Sequence, residues 1–288
     1  MINLTIGDLV VIANGVPTSG YLLQTPIEGL DGPERRLSTY ARSGFHGLRA
    51  SSHKYGGRII NLVGSVYSDT SFAEFEERRK ALIAATAINY DSGGRETPVR
   101  VSFTTMAGQD YYIDCYFDKP DLPLEQPVQS SFQIVGTSVD PFIYAATGVT
   151  SAAIRPPSGG GFVIPFVLPF VSAAATGGSV VLNNAGSEIA WPVITLSGPL
   201  TTPVITNATT GTYLQLAYTI GTGDQVIIDM HPDNRSITVN GASLISTKTD
   251  TSDWWSLPPG NSAITLTTTN TGDTGSMVVA FNPPSVGV

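Results

Sequence analysis

The chain contains one cysteine, Cys115, in 288 residues, which excludes an intrachain disulfide framework and suits folding in a reducing compartment. Charge is scarce: Asp, Glu, Lys and Arg make up 13% of the residues, about half the usual share. Three histidines, His46, His53 and His231, are the whole supply of imidazole, the side chain best suited to proton transfer near neutral pH. No nucleophile-elbow serine, P-loop or paired-cysteine spacing occurs, and the glycine runs SGGGF and IGTGD lack the strand-to-helix setting that cradles phosphate. These shortages argue for a protein that is not an enzyme and carries neither cofactor nor metal.

The start of the sequence, MINLTIGDLVVIANG, has no Lys or Arg ahead of its apolar residues and is too short in apolar content for a signal core or a membrane span. Net charge is −8, the wrong sign for wrapping a phosphate backbone. Twelve of the fifteen Lys and Arg precede residue 151, but so do sixteen of the twenty-three Asp and Glu, leaving −4 on each side. Neither half is a nucleic-acid module.

What remains is Thr, Ser, Gly, Asn and Pro between short runs of alternating apolar residues, the composition of a mainly β protein. One segment departs from it. In SDTSFAEFEERRKALIAAT, Ser71 with Glu74 three residues on makes a capping box, and Phe72, Phe75, Leu82 and Ala85 keep helical spacing, which predicts a helix over 71–86. The run EERRK within it reads as a solvated face. Around the helix, 58–67 aligns Ile60, Leu62 and Val66 on one face, 98–105 aligns Val99, Val101 and Phe103, and 110–119 aligns Tyr111, Ile113, Cys115 and Phe117; 129–138 is a further strand. Between an early strand near residues 20–27 and the strand at 58 lies a long polar stretch, 28–57, the most basic part of the chain. Counting Arg58 just after it, it holds five arginines and one lysine. A polar segment of that length is either an intersubunit arm or a surface loop.

Small residues, a Pro-Pro pair and three glycines in AATGVTSAAIRPPSGGGF mark a connection, so we divide the chain into domains 1–150 and 151–288. The second reads as at least eight short strands with Asn240-Gly241 as a hairpin turn, a β-sandwich of jelly-roll type. Within it, IIDMHPDNR places Asp229, His231 and Asp233 at alternate positions. Ordinary turn chemistry around Pro232 explains them, with a divalent-cation ligand set as the alternative. Trp254 and Trp255 precede Pro258, Pro259 and Gly260. Adjacent residues of an extended chain point to opposite faces, so one ring is expected in the core near Leu257, Ile264 and Leu266 and the other outside. They form a structural corner rather than a flat sugar platform.

The order of these segments carries a resemblance. YGGRIINLVGSVYSDT followed by FAEFEERRKALIAA, and the exit SVDPFIY, resemble the N-terminal domain of the siphovirus distal tail protein family. NNAG, PVITLSG, PVITNATTG, GDQVIIDMHPDNRSITVNG and WWSLPPGNSAITL are similar, in order, to its C-terminal sandwich. The resemblance implies a β-barrel-like first domain with one helix and a galectin-like second domain. It also implies a structural virion protein at the distal end of a long non-contractile tail, assembled in the bacterial cytoplasm. Six copies would form a ring with a central channel for DNA, joining tail tube to tip or baseplate. The partners it implies are further copies of the chain, the tail tube protein, the tape-measure protein and the tail-tip hub protein, with no membrane and no sequence-specific nucleic acid. The 28–57 arm would reach a neighbouring subunit, with Arg35, Arg36, Arg42, Arg49 and Arg58 as interface cations. Host-glycan binding by the second domain, as an adhesion module, is the alternative role.

Overall fold

The computed structural model describes residues 3–17, 20–124, 128–157 and 178–288. The glycines expected in the connection, Gly159–Gly161, lie outside the described residues. The chain divides into two compact units, Met1–Thr147 with Pro284–Val288, and Gly148–Pro283. The division falls between Thr147 and Gly148, and Pro284–Val288 return to the first unit. Val149–Thr150, within the expected connection, is a strand of the second unit paired with Ser276–Phe281.

The first unit is built on one antiparallel sheet. Its main path runs Val16–Pro17, Leu9–Ala13, Leu4–Ile6, Val99–Thr104, Asp110–Phe117, Gln129–Ser138, Arg58–Tyr67 and Tyr21–Leu23. Tyr21–Leu23 at one end returns to touch Leu9–Ala13 near the other, so the sheet nearly closes into a barrel. The two longest strands, Arg58–Tyr67 and Gln129–Ser138, pair along all their residues, from Arg58 opposite Ser138 to Tyr67 opposite Gln129. Period-two burial explains their register: Ile60, Leu62 and Val66 face inward with Phe132 and Ile134, and a slip of one residue would expose the whole set. Gly64 is glycine because the Leu22 carbonyl and the Phe132 ring crowd it; a Cβ there would collide with the carbonyl oxygen and sit 2.6 Å from the ring.

The helix spans Phe72–Ala85, with Ser71 as N-cap accepting from the Glu74 amide. The expected capping box is only half made. The Glu74 carboxylate binds the Ser68 hydroxyl (2.8 Å) and Arg78 (2.6 Å), while Ser68 Oγ accepts from the Ser71 amide at 3.3 Å. Phe75 and Leu82 are fully buried against the sheet, worth about 1.5–3 kcal/mol each. The EERRK run is not simply solvated. Arg78 donates to Tyr67 O at 2.5 Å and Arg79 to Leu122 O at 2.7 Å, which fasten the helix to its surroundings.

The second unit is a sandwich. One sheet runs Val149–Thr150, Ser276–Phe281, Val193–Ser197, Gln225–Asp229, Ser236–Val239 and Ala242–Ser243; the other runs Ser179–Asn184, Gly260–Thr267, Val204–Asn207 and Thr212–Gln215. Ile194, Val226, Ile228, Met277 and Val279 from the first join Leu182, Ile205, Leu214, Ile264 and Leu266 from the second in one core. Asn240 and Gly241 both have positive φ (47° and 86°), the type I′ geometry their dipeptide favours.

Candidate functional site

The stretch expected as arm or loop is a regular β-hairpin, Arg35–Ala41 paired with Leu48–Tyr55, every residue of which is exposed except the half-buried Tyr55. Among the described residues its strands pair with no others. At its base Gly56 N donates to Glu34 O at 2.7 Å, and Tyr55 packs edge-on to Phe142 at 5.8 Å. Residues directly opposite share a face. Leu37 opposite His53 and Ala41 opposite Leu48 make one face, and Arg36 opposite Lys54 and Tyr40 opposite Arg49 make the other. A bulge between Ser38 and Thr39 keeps the two sets apart. At the tip Phe45 is 78% exposed and Leu48 67%.

Between Glu34 and Asp69 the sequence has no carboxylate, so residues 35–57 carry five cations, Arg35, Arg36, Arg42, Arg49 and Lys54, and no anion. Subtracting that +5 from the net −8 leaves −13 on the rest of the chain. The structure gathers four of the five expected interface arginines, Arg35, Arg36, Arg42 and Arg49, on this hairpin.

Arg58 does not belong with them. It is 1% exposed, and its guanidinium donates to Pro141 O at 2.9 Å, to Gly29 O at 2.6 Å and to Val286 O. Burial lowers its pKa while Asp31 and Asp140 nearby work the other way. A side chain with all its donors turned inward offers a neighbour nothing, so the interface expectation for Arg58 is corrected to a structural role. Its place as the first residue of a strand starting an apolar alternation was the signal: position 58 shares the inward face with Ile60 and Leu62.

In the second unit Trp255 is 3% exposed and part of the core with Leu257, Ile264 and Leu266, while Trp254 is only partly buried, with the Arg235 guanidinium 5.8 Å from its ring centroid. Trp255 lies within the core while Trp254 packs partly buried against its edge, and residues 252–256 lie outside any strand. That segment is held instead by Asp253 N to Tyr213 O (2.8 Å) and by Ser252 Oγ accepting from Gln215 N (2.8 Å). Pro258 and Pro259 lead directly into Gly260–Thr267, whose first residue has φ +92°. Asp229 and His231 are occupied inside their turn: Asp229 Oδ1 accepts from His231 N at 2.8 Å, and His231 Nδ1 from Asp233 N at 3.3 Å. Among the described residues no group of three or more His, Cys, Asp or Glu is placed to hold a metal ion.

A barrel-like sheet with one helix and a projecting hairpin, followed by a β-sandwich, defines the class: a two-unit β protein with the fold of phage tail hub components. Residues 185–283 match the family described as siphovirus-type tail component, C-terminal domain. The fold of nearly the whole chain recurs in the Dit protein of phage SPP1, described as a paradigm of the hub adsorption apparatus in phages infecting Gram-positive hosts. That match has a TM-score of 0.64 and 15% identity and covers 92% of this chain and 93% of that one. It recurs also in the baseplate of phage P2 in its activated conformation with Ca, with a TM-score of 0.54, 10% identity and 96% of each chain covered. No curated protein sequence matches the chain.

Proposed function

We propose that the chain is a structural component of the distal tail or baseplate of a siphovirus, in which six copies close into a ring around a channel for DNA. In this reading the first unit builds the ring, and the hairpin 35–55 reaches onto a neighbouring copy. The tail tube protein, the tape-measure protein and the tail-tip hub protein are its other partners, and the protein has no catalytic task.

The observation that carries the reading is the acid-free, fully exposed hairpin on a chain whose remainder is strongly acidic. An isolated two-stranded ribbon is marginal in water, and one carrying Leu37, Phe45 and Leu48 in the open gains from being covered. A second copy supplies the complementary charge. The channel role has its own support: neither Arg58–Tyr67 nor Gln129–Ser138 carries a charged side chain on its exposed face, and a wall without cations lets phosphates pass unheld.

Native mass measurement of the purified chain at increasing concentration tests this. A species of six chain masses is expected, and its loss in an Arg36→Gln, Arg49→Gln, Lys54→Gln triple variant would assign the hairpin to the contact. A parent that stays monomeric at high concentration and never joins a tail would overturn the ring.

A further inference from the structure

Pro284–Ser285 is an edge strand of the first unit, and residues 286–288 continue from it along the root of the hairpin. It adds two ladder pairs, Pro284 opposite Tyr144 and Ser285 opposite Ile143, against the ten that join Arg58–Tyr67 to Gln129–Ser138. Beyond the ladder, Val286 O accepts from Arg58, and Val288 N donates to Leu30 O at 3.3 Å. Gly287 lies so close on Leu30 and Asp31 that a Cβ there would collide with the Asp31 carbonyl.

Those partners are the root of the hairpin. Gly29, with φ +93°, lies against Ile59 O so tightly that no side chain fits, and its own carbonyl takes the Arg58 Nη1 bond. One buried guanidinium therefore spans the hairpin root at Gly29 and the returning segment at Val286. If the segment leaves, Arg58 Nη2 loses its acceptor in a dry site, and the carbonyls of Leu30 and Asp31 lose their cover. An unmatched buried donor is costly, so the guanidinium shifts and Gly29 O loses its partner as well. Loss of the segment is thus felt first at residues 29–34 and then along the hairpin that they carry.

We infer that Pro284–Val288 is a latch, a separable edge segment whose seating on Ile143–Ala145 and Arg58 fixes the root of the exposed hairpin, and whose withdrawal frees the hairpin while the sheet behind it stays folded. The inference does not rest on the ring or on what the hairpin touches. A segment joined by a two-pair ladder can open as a unit of its own while the central sheet stays closed, which suits an element that sets how an arm is presented. It also makes the site between Ile143–Ala145 and Arg58 an acceptor for a short extended peptide, a strand-addition mode.

Hydrogen exchange, read segment by segment on the full chain and on a variant lacking residues 284–288, tests the latch. Exchange is expected to accelerate about tenfold or more at Gly29–Gly56, with Phe132–Val135 and the helix unchanged, and the free peptide NPPSVGV at millimolar concentration is expected to restore the protection. Arg58→Lys in the full chain keeps the charge but cannot span both carbonyls, so it is expected to loosen the same residues with the segment still present. Parent-like exchange at Gly29–Gly56 in either variant overturns the latch. Equal acceleration of the central sheet overturns it too, because the segment would then be an ordinary part of the fold.

Discussion

Trp255 gives the sharpest test of how the second unit is held together. It is 3% exposed, packed in one core with Leu257, Ile264 and Leu266, so Trp255→Ala removes a large buried ring whose space the flanking sheets cannot refill. The usual penalty for that change is about 3–5 kcal/mol. Trp254 is only partly buried, and Trp254→Ala should cost about 1 kcal/mol, the loss of some packing and of its exposed contact with Arg235. All three tryptophans, Trp191, Trp254 and Trp255, lie in Gly148–Pro283, so intrinsic fluorescence in a urea titration follows this unit alone. With a slope of about 2 kcal/mol per molar urea, Trp255→Ala should lower the midpoint by roughly 2 M and Trp254→Ala by about 0.5 M. A third variant separates ring volume from polarity. Trp255 Nε1 is buried without a hydrogen-bond partner, a state that costs about 1–3 kcal/mol. Trp255→Phe deletes that donor and is expected to stay within about 1 kcal/mol of the parent despite the smaller ring. Equal midpoints for Trp254→Ala and Trp255→Ala would refute the assignment of the inward ring.

Gly64→Ala drives a methyl group to 2.6 Å from the Phe132 ring and should destabilise the first unit by about 1–3 kcal/mol, read as an earlier thermal transition; an unchanged transition would show that the strand relaxes freely there. The Glu74 carboxyl is held below its ordinary value of 4.5, first by the Ser68 hydroxyl, with Arg78 a lesser contributor. Its stabilisation is therefore complete above that value and lost as pH falls through the lowered one, and Glu74→Gln should flatten the acid limb of the first unit's stability profile; parallel limbs would contradict this. Burial pushes the Cys115 thiol up to about 12, so a thiol reagent at pH 8 should label it only when the first unit opens, and prompt labelling of the native protein would sink the claim.

Much of the fold was legible because the strongest periodic segments are those buried on one side only. The strands Arg58–Tyr67 and Gln129–Ser138 and the helix after Ser71 appear where alternation and capping put them. The hairpin 35–55 was not readable as strands: with both faces exposed, Ser, Arg and His fill positions where a half-buried strand would alternate. Nor was the use made of the helix charges. EERRK looks like a solvated run, yet Arg78 and Arg79 reach backbone carbonyls at Tyr67 and Leu122 that no local pattern announces. Arg58 shows the limit in the other direction. Charge type suggested a surface cation, while phase within its own strand, in register with Ile60 and Leu62, pointed inward. Phase outweighs charge at such a position because the backbone carbonyls of Gly29, Pro141 and Val286 satisfy the buried guanidinium, with Asp31 and Asp140 adding favourable charge nearby.

The two faces of the hairpin make unequal demands on whatever covers them. On one, Leu37, Ala41 and Leu48 call for apolar contact, which salt strengthens slightly if it acts at all, with Arg35 and His53 beside them toward the root. On the other, Arg36, Arg49 and Lys54 lie in water with no carboxylate nearer than Glu34 and Asp69 in sequence; attraction between exposed charges decays over about 8 Å at physiological salt. In the proposed ring each such pair would be worth less than about 1 kcal/mol, so the cations would orient the partner while the apolar residues supply the holding energy. An arm of this kind is directional. It has to be presented with the correct face outward before it meets an acidic surface, and the backbone at Gly29–Asp31 that sets this presentation is the backbone held by Arg58 and Pro284–Val288. In the proposed ring the residue that sets where the hairpin points, Arg58, is therefore buried in the first unit and distinct from the residues that would touch a neighbour.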